Sequence, residues 1–294
     1  MAARMLDGKA VAAAARAELR ARIEALRARS VTPTLSVLLV GDNPQSAVYV
    51  RNKERAAHEL GIRVIVHRVT PETSRDDLER LVAVWNRDSA VHGIIVQHPV
   101  RDPHTEAALR SLISPWKDVD ALHPENVGLL AQGHPRFLPP TPAGIQELLV
   151  RSGVKITGAQ VVIVGRGMLV GKPLALLLLQ KGIDADATVT ICHRETPDLP
   201  SITRTADILV VAAGVPRLIT AEHVRPGSVV VDVGIHQTPT GWVGDVDRVS
   251  VENVAAAISP VPGGVGPMTV TMLLKNVLRA AEMVGRERES LSEA

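Results

Sequence analysis

The chain has little cysteine, few aromatic side chains and no long apolar run. Its single cysteine, Cys192, cannot form a disulfide within the chain, so a reducing compartment such as the cytoplasm is expected. Aromatic residues make up only 2% of the sequence, which argues against base-stacking surfaces for nucleic acid. The longest apolar stretches are broken by Gly, Pro or charge before they reach the length of a membrane span. We therefore expect neither a nucleic-acid nor a membrane partner.

Charge of one sign is not concentrated in any segment either. The 33 basic and 31 acidic side chains are interspersed, and the formal net charge is +2. This pattern lacks the polybasic patches that bind phosphate backbones or anionic lipids. Nearly half of the 294 residues are apolar, which excludes disorder and allows one large or two ordinary domains.

Apolar runs alternate with helical patterns along most of the chain, which predicts parallel α/β sheets. In the first half, strands are predicted over residues 34–41, 62–69 and 92–99, with helices over 7–29, 44–60 and 76–86. In the second half, strands are predicted over residues 159–165, 187–192, 207–213 and 228–234, with helices over 142–152, from about 251, and over 268–286.

Residues 111–142 interrupt this alternation with many Pro and Gly. We predict a long loop without regular structure here, and a loop of that length inside a compact protein is usually functional. The domain boundary is placed at its end. The prediction is a first domain over residues 1–140, a dinucleotide-binding domain over 141–267, and a last helix, 268–294, that returns to the first domain.

A glycine-rich turn between a predicted strand and helix points to a dinucleotide. Gly165, Gly167 and Gly171 would allow a tight turn and a close approach to a pyrophosphate at the helix N-terminus. The spacing is one residue longer than the usual fingerprint, so a purely connecting turn stays an alternative. A P-loop is excluded, because Arg166 stands where its first glycine is needed and Pro173 where Ser or Thr would hold magnesium.

The residues after the next strand favour NADP over NAD. Enzymes that use NAD usually place an acidic side chain here for the ribose hydroxyl. In this chain Arg194 follows the strand and Arg166 lies in the glycine turn, and two guanidinium groups suit a 2′-phosphate. Glu195 keeps NAD open as the alternative, and each arginine by itself is equally compatible with a solvated surface charge.

Polar side chains in the first half form a candidate catalytic group. Tyr49 and Lys53 share one face of a predicted helix, and Gln97 ends a buried strand, so all three lie near the carboxyl edge of the sheet. A lysine can carry protons near neutral pH if its surroundings lower its pKa. A carboxylate of the segment Lys117–Asp120 could bind an amidine-like ring edge such as a pterin. The alternatives are that Tyr49 and Lys53 lie on an ordinary helix without a catalytic role, and that the Lys117–Asp120 segment is a solvated loop.

These segments together resemble the bifunctional methylenetetrahydrofolate dehydrogenase/methenyltetrahydrofolate cyclohydrolase family over nearly the whole chain. The matching segments are VGDNPQSAVYVRNK (40–53), GIIVQHP (93–99), PWKDVDALHPENVG (115–128), TPAG (141–144), VVIVGRGMLVGKP (161–173), VVDVGI (230–235), GDVD (244–247) and PVPGGVGPMT (260–269).

The resemblance implies oxidation of 5,10-methylenetetrahydrofolate by NADP and hydrolysis of the methenyl product to 10-formyltetrahydrofolate. It implies that Lys53 drives the hydrolysis, oriented by Tyr49 and tuned by Gln97, with hydrogen bonds from both holding the amine. It also implies a homodimer without a metal, and one folate site used by both steps. The implied folate-side residues are Tyr49, Lys53, Val96, Gln97, His98, Asp120, Pro262, Gly263, Gly264, Val265 and Gly266. The implied cofactor-side residues are Gly165, Arg166, Gly167, Arg194, Ile235 and Thr141.

The chain departs from the family pattern at several of these positions. His98 stands where Leu is common, Ala121 where Gly is common, and Pro140 where Cys is frequent. Gly167 and Arg194 each replace a frequent Ser. Three other functions are compatible with parts of the pattern: a monofunctional NAD-dependent enzyme, another two-domain dehydrogenase, and a non-catalytic NADP sensor.

Overall fold

The computed structural model describes residues 2–41, 43–100, 102–239 and 241–292. Its helices are α1 (Gly8–Ala28), α2 (Pro44–Leu60), α3 (Arg75–Arg87), α4 (Pro103–Leu112), α5 (Pro124–Ala131), α6 (Pro140–Arg151), α7 (Gly171–Leu178), α8 (Leu199–Thr203), α9 (Arg248–Val251) and α10 (Val265–Ser292). Its strands are β1 (Arg4–Met5), β2 (Thr34–Val40), β3 (Arg63–Val69), β4 (Gly93–Val96), β5 (Gln160–Val164), β6 (Thr188–Cys192), β7 (Ile208–Val211), β8 (Val229–Asp232), β9 (His236–Thr238), β10 (Gly241–Val243) and β11 (Ala257–Ile258).

The chain divides into two compact units. The N-terminal unit comprises residues 15–140 and 270–294, and the C-terminal unit comprises residues 1–14 and 141–269. The division falls at Pro140, where the sequence analysis placed it, but the first 14 residues were assigned to the wrong domain. They belong to the C-terminal unit because β1 pairs in parallel with β11. A two-residue strand leaves no periodicity that a sequence pattern could detect.

The N-terminal unit is built on a parallel sheet with the order β3-β2-β4. All seven residues of β2 are buried because both faces of the sheet are covered, as expected for parallel strands. Leu35, Val37 and Leu39 pack in a cluster with apolar residues of α1, α2 and α10, whereas Leu38 and Val40 pack against α3 and α4. The last helix thus packs on this unit, as predicted.

The segment 111–142 is not the structureless loop that the sequence predicted. Its first residues end α4, and α5 occupies its centre, where Pro124 takes the first helical position and His123 accepts a hydrogen bond from the N–H of Glu125. Between the two helices, Asp118 forms a parallel bridge with Ile94 and so extends the sheet beyond β4. The prolines of this segment were interpreted as loop residues, whereas Pro124 begins a helix.

The C-terminal unit contains a parallel sheet with the order β1-β11-β8-β7-β5-β6. From β5 the chain continues to β6 on one side and then returns to β7 on the other. Strand order therefore reverses between β5 and β7, and ligands of such sheets bind at the carboxyl ends of the strands beside this point. The glycine turn follows β5 directly, so it lies where a dinucleotide is expected.

Two other predictions in this unit need correction. The helix expected to begin near Val251 instead ends there, and the next residues form β11, which pairs with β8. The last helix begins at Val265, so Val265 and Gly266 lie in its first turn rather than in the preceding loop. The antiparallel hairpin of β9 and β10 was not predicted. Within the described residues, no helix is long and apolar enough to cross a membrane.

Candidate active site

Lys53 and Gln97 meet at the carboxyl edge of the N-terminal sheet. The Nζ of Lys53, on α2, donates a hydrogen bond of 2.9 Å to the Oε1 of Gln97, the residue that follows β4. The amide of Gln97 is held in this orientation because its Nε2 donates to the carbonyl of His98 at 2.9 Å. Burial lowers the pKa of the half-buried Lys53, and the negative charge of Asp120 opposes that shift. The amine of Lys53 is therefore held in place by Gln97 and has a pKa below that of a free lysine, as proton exchange near neutral pH requires.

Tyr49 lies one helical turn before Lys53 on α2. Its side chain is half-buried, and burial raises the pKa of its phenol. Among the described residues it forms no hydrogen bond with Lys53, in contrast to the expectation from the sequence. Gln97 therefore provides the hydrogen bond that positions the amine, while Tyr49 offers a ring and a hydroxyl that stays protonated at neutral pH.

In the Lys117–Asp120 segment, some charged side chains are hydrogen-bonded within the fold and one is not. Lys117 donates to the carbonyls of Trp85 and Asp88 at the end of α3. The buried Asp118 accepts hydrogen bonds from the N–H of His123 at 2.7 Å and from the Nδ2 of Asn126 at 2.8 Å. Both side chains are thus used by the fold, and neither is free for a ligand.

Asp120 differs from its neighbours in this segment. Its half-buried carboxylate accepts no hydrogen bond from any described residue. Burial raises its pKa, while the positive charge of Lys53 acts in the opposite direction. A half-buried carboxylate without a protein donor at a sheet edge is suited to accept hydrogen bonds from an incoming ligand. Ala121, next in the chain, has a φ of 56°, a backbone conformation that favours glycine.

The two neighbours of Gln97, which the resemblance assigns to the folate side, differ in exposure. The side chain of Val96 is buried in the core beneath α3 and α4, so it can reach a substrate only through its main chain. His98 is 52% exposed, and its Nδ1 lies 2.8 Å from the carboxylate of the buried Glu106. Glu106 also accepts from the N–H of Val100 and pairs with Arg110. Sequence analysis missed Glu106, because a single acid on an amphipathic helix carries no distinguishing signal.

The glycines of the predicted cofactor turn have separate physical roles. A Cβ on Gly165 would lie 2.0 Å from the carbonyl oxygen of Ala212, and one on Gly171 would lie 2.0 Å from that of Gly165. These two positions therefore require glycine for packing. A Cβ on Gly167 would meet no atom within 4 Å, which leaves space beside the N-terminus of α7. The turn fits a pyrophosphate that approaches the main chain closely.

The two arginines that favour NADP are both exposed. Arg166 lies between Gly165 and Gly167 in the turn after β5. The side chain of Arg194 is 88% exposed, and its Nε lies 2.9 Å from the carboxylate of Glu195. A 2′-phosphate can draw Arg194 away from this exposed pair at small cost, because such pairs are worth about 0–1 kcal/mol.

The remaining predicted residues lie in the C-terminal unit. Ile235 follows β8 and is half-buried, and Thr141, in the first turn of α6, accepts a hydrogen bond of 3.1 Å from the Oγ1 of Thr269. Of the residues 262–266, Pro262 and Gly266 are exposed, whereas Gly264 and Val265 are buried and Gly263 is intermediate. A Cβ on Gly8 would lie 1.8 Å from the carbonyl oxygen of Gly264, so the start of α1 packs closely on this loop.

Sequence models of one enzyme family match both units. The tetrahydrofolate dehydrogenase/cyclohydrolase catalytic domain matches residues 6–120, and the NAD(P)-binding domain of the same family matches residues 139–284. The chain belongs to the tetrahydrofolate dehydrogenase/cyclohydrolase family. The predicted family, the two-domain α/β fold, the enzyme class and the NADP cofactor are confirmed with it.

Named relatives and solved structures agree with this assignment. The chain is 48% identical over 290 residues to a protein of Syntrophobacter fumaroxidans called bifunctional protein FolD, covering 96% of this chain and 98% of that one. A protein of the same name from Nitratidesulfovibrio vulgaris is 52% identical over 279 residues, covering 94% and 97% of the two chains. The Campylobacter jejuni bifunctional enzyme FolD superposes with a TM-score of 0.90 at 41% identity, covering 96% and 99%. The Trypanosoma brucei dehydrogenase-cyclohydrolase, solved with NADP and an inhibitor, gives 0.91 at 40% identity, covering 97% and 99%.

Three residues of the tetrahydrofolate dehydrogenase/cyclohydrolase chain stand out in the structure although the sequence analysis gave them no role. Asp232 and Asp245 are buried at the carboxyl edge of the C-terminal sheet, and His236 lies 2.7 Å from the carboxylate of Asp245. Burial raises the pKa of Asp232 to about 7, although backbone donors act against the shift. Asp232 lies in the segment VVDVGI and Asp245 in GDVD, and no pattern in the sequence shows that these two segments meet.

Proposed function

We propose that this chain carries out both reactions of its family, with Lys53 as the proton carrier of the hydrolytic step. The first reaction oxidises 5,10-methylenetetrahydrofolate to the methenyl cation, and the second adds water to give 10-formyltetrahydrofolate and one proton. NADP, when bound, supplies the hydride acceptor for the first reaction. The observation that supports the proposal most directly is the 2.9 Å hydrogen bond between Lys53 and Gln97, together with the lowered pKa of that lysine.

Hydrolysis of the methenyl cation needs a group that both takes and returns a proton. Water must lose a proton as it attacks the carbon, and a ring nitrogen must gain one as the carbon–nitrogen bond breaks. A neutral amine can do the first and its ammonium form the second, provided that its pKa lies near the working pH. Burial moves the pKa of Lys53 in that direction, and a cationic substrate would lower it further.

Gln97 and Tyr49 complete this proposal around the amine. The Oε1 of Gln97 keeps Nζ at a fixed place, which matters because proton transfer requires heavy atoms within about 3 Å of each other. Tyr49 would stack near the folate and keep its proton, because burial raises the pKa of its phenol. Hydride transfer needs alignment but no protein base, so the two reactions should respond differently to loss of Lys53.

Asp120 is proposed to hold the pterin ring. An ionised carboxylate can accept two hydrogen bonds from the amidine-like edge of that ring, and no described residue occupies this acceptor. His98 and the main chain of Val96 would contact the folate beside it. Residues 262–266 are proposed as a further substrate-side wall: Pro262, Gly263, Gly264, Val265 and Gly266.

The C-terminal unit is proposed to bind NADP through its glycine turn and two arginines. Gly165 and Gly167 would let the pyrophosphate approach the N-terminus of α7, and Arg166 and Arg194 would bind the 2′-phosphate. Ile235 and Thr141 are assigned to the nicotinamide side. The pairing of Arg194 with Glu195 favours NAD as the second candidate, because an acid at this place can bind a ribose hydroxyl.

A homodimer in the cytoplasm, acting without a metal, completes the proposal. Among the described residues no group of three His, Cys, Asp or Glu side chains is arranged to hold a metal ion. Sedimentation of the purified chain would test the dimer, with a single species of twice the chain mass expected and a monomer at micromolar concentration contradicting it.

The function is tested by supplying 5,10-methylenetetrahydrofolate with NADP or NAD to the purified chain. Absorbance would follow the reduced cofactor and the methenyl intermediate in the same sample. We expect NADPH to form with little methenyl accumulation, because hydrolysis removes it. Methenyl accumulation at the full dehydrogenase rate would indicate a monofunctional enzyme, and no reduction of either cofactor would refute the proposal.

A further inference from the structure

One buried carboxylate joins three segments of the C-terminal unit. The Oδ2 of Asp245 accepts hydrogen bonds from the backbone N–H groups of Ala213 at 2.7 Å and Gly214 at 2.8 Å, just after β7. Its Oδ1 lies 2.7 Å from the Nε2 of His236 on β9. The side chain of Asp245 is fully buried, and that of His236 is 23% exposed. The position of this carboxylate therefore sets the course of the main chain after β7.

The main chain after β8 packs closely against the carboxylate of Asp245 as well. A Cβ on Gly234 would lie 2.2 Å from the Oδ1 of Asp245, so no larger residue fits there. Asp232, the last residue of β8, accepts hydrogen bonds from the N–H groups of Gly234 at 3.1 Å and Asp245 at 2.9 Å. The two aspartates thus fix the exits of β7 and β8 relative to each other.

These exits lie at the edge of the sheet where the dinucleotide is proposed to bind. Strands β5, β7 and β8 are parallel, so their carboxyl ends share one edge. Ala212, which precedes the two residues held by Asp245, packs against Gly165 of the cofactor turn. Ile235, proposed for the nicotinamide side, directly follows Gly234. The hydrogen-bonded pair of His236 and Asp245 therefore supports the main chain that leads to Ile235, the residue proposed for the nicotinamide side.

We propose that His236 and Asp245 are positioning residues for hydride transfer, which hold the main chain of Ala213–Gly214 and Gly234–Ile235 where the nicotinamide ring binds. The inference rests on the proposed dehydrogenase activity. A hydrogen bond between an imidazole and a carboxylate is among the stronger protein hydrogen bonds, and its loss frees one oxygen of Asp245 to move. The cofactor would still be anchored by its phosphates, so the maximal rate should suffer more than the binding of NADP.

The test uses His236→Phe, which keeps a ring of similar shape and removes the donor. His236→Gln restores a donor at a similar reach, and Gln237→Ala, an exposed neighbour on β9, is the matched control. For each protein, kcat and KM for NADP would be measured in the dehydrogenase direction. Hydrolysis would be measured separately with methenyltetrahydrofolate supplied directly and no cofactor present, and thermal unfolding would be recorded.

We expect His236→Phe to lower the dehydrogenase kcat by about 10- to 100-fold, as misplaced reactants do. The KM for NADP should change much less, hydrolysis should stay at the wild-type rate, and a deuterated methylene carbon should give a larger isotope effect. His236→Gln should recover most of the loss. Equal losses of both activities with a lower unfolding temperature would overturn the inference, as would an unchanged kcat. A wild-type chain that reduces no cofactor would instead refute the proposed function, and this inference with it.

Discussion

The preference for NADP should depend on two exposed arginines that lie in different turns of the C-terminal unit. Arg166 follows β5 and Arg194 follows β6, two strands that are paired neighbours, so both side chains leave the same edge of the sheet. We consider the double change Arg166→Ala and Arg194→Ala. Neither side chain is buried, so the change should leave the fold intact.

The size of the effect follows from the contacts available to each arginine. A hydrogen bond to a charged group contributes about 1.5–3 kcal/mol, so two arginines contribute about 3–6 kcal/mol to binding of the 2′-phosphate. Arg194 must first leave the carboxylate of Glu195, and an exposed pair of this kind costs about 0–1 kcal/mol to break. About 2–6 kcal/mol therefore remains, which corresponds to roughly 30- to 20,000-fold in the KM for NADP relative to NAD.

Initial rates with NADP and with NAD would measure this ratio for the wild type and the double variant. Arg225→Ala is the matched control, since this exposed arginine pairs with Asp207 just before β7, at the opposite edge of the same sheet. Glu195→Gln should lower the KM for NADP, because it frees Arg194 and removes a negative charge. An equal rise of both KM values in the double variant would show that the arginines do not read the 2′-phosphate.

Three further changes test other parts of the site. Asp120→Asn should lower both activities together, and loss of one activity alone would contradict the folate role. The negative charge of Asp120 raises the pKa of Lys53, so in the variant the amine should stay neutral, and the residual hydrolysis should continue, down to a lower pH. Asn126→Ala should lower the free energy of unfolding in urea by about 1–3 kcal/mol, since its buried amide bonds Asp118 and the carbonyl of Pro115, and an unchanged midpoint would contradict this. Burial raises the pKa of Asp232 from 3.8 to about 7, so the folded chain holds a proton that the unfolded chain releases, and stability should fall as pH rises through that interval. Asp232→Asn should flatten this dependence in urea unfolding measured at several pH values, and an identical slope would argue against the shift.

The regular parts of the fold were predictable because their signals are local. Seven buried residues of β2 and the helix that follows it can be read from apolar runs and capping residues, and the predicted range of α2 matches the observed one. Elements that depend on distant partners were missed. Strand β1 exists because β11 lies beside it, and no pattern within two residues records that pairing.

The residues of the site also differ in whether their signals are local or depend on distant partners. Lys53 and Gln97 were identified from helix spacing and a strand end together with the family motifs, and the structure joins them by a hydrogen bond. The residues alone could not say which acid of the Lys117–Asp120 segment is available, and only the family resemblance named Asp120. Availability depends on Asn126 and the N–H of His123 saturating Asp118. The joint role of Asp232 and Asp245 was hidden for the same reason: thirteen positions separate two side chains that meet only in the folded chain.

The central claim is that Lys53 carries the proton of the hydrolytic step while hydride transfer proceeds without it. Lys53→Met keeps the length and apolar stem of the side chain and removes the amine, and Asn52→Ala, an exposed neighbour on α2, is the control. Because acid–base help is worth roughly 10²–10⁴-fold, hydrolysis of supplied methenyltetrahydrofolate should fall by at least that order. NADPH should still form from methylenetetrahydrofolate, at a reduced rate, and the methenyl product should accumulate. A Lys53→Met protein that opens methenyltetrahydrofolate at the wild-type rate would contradict the account.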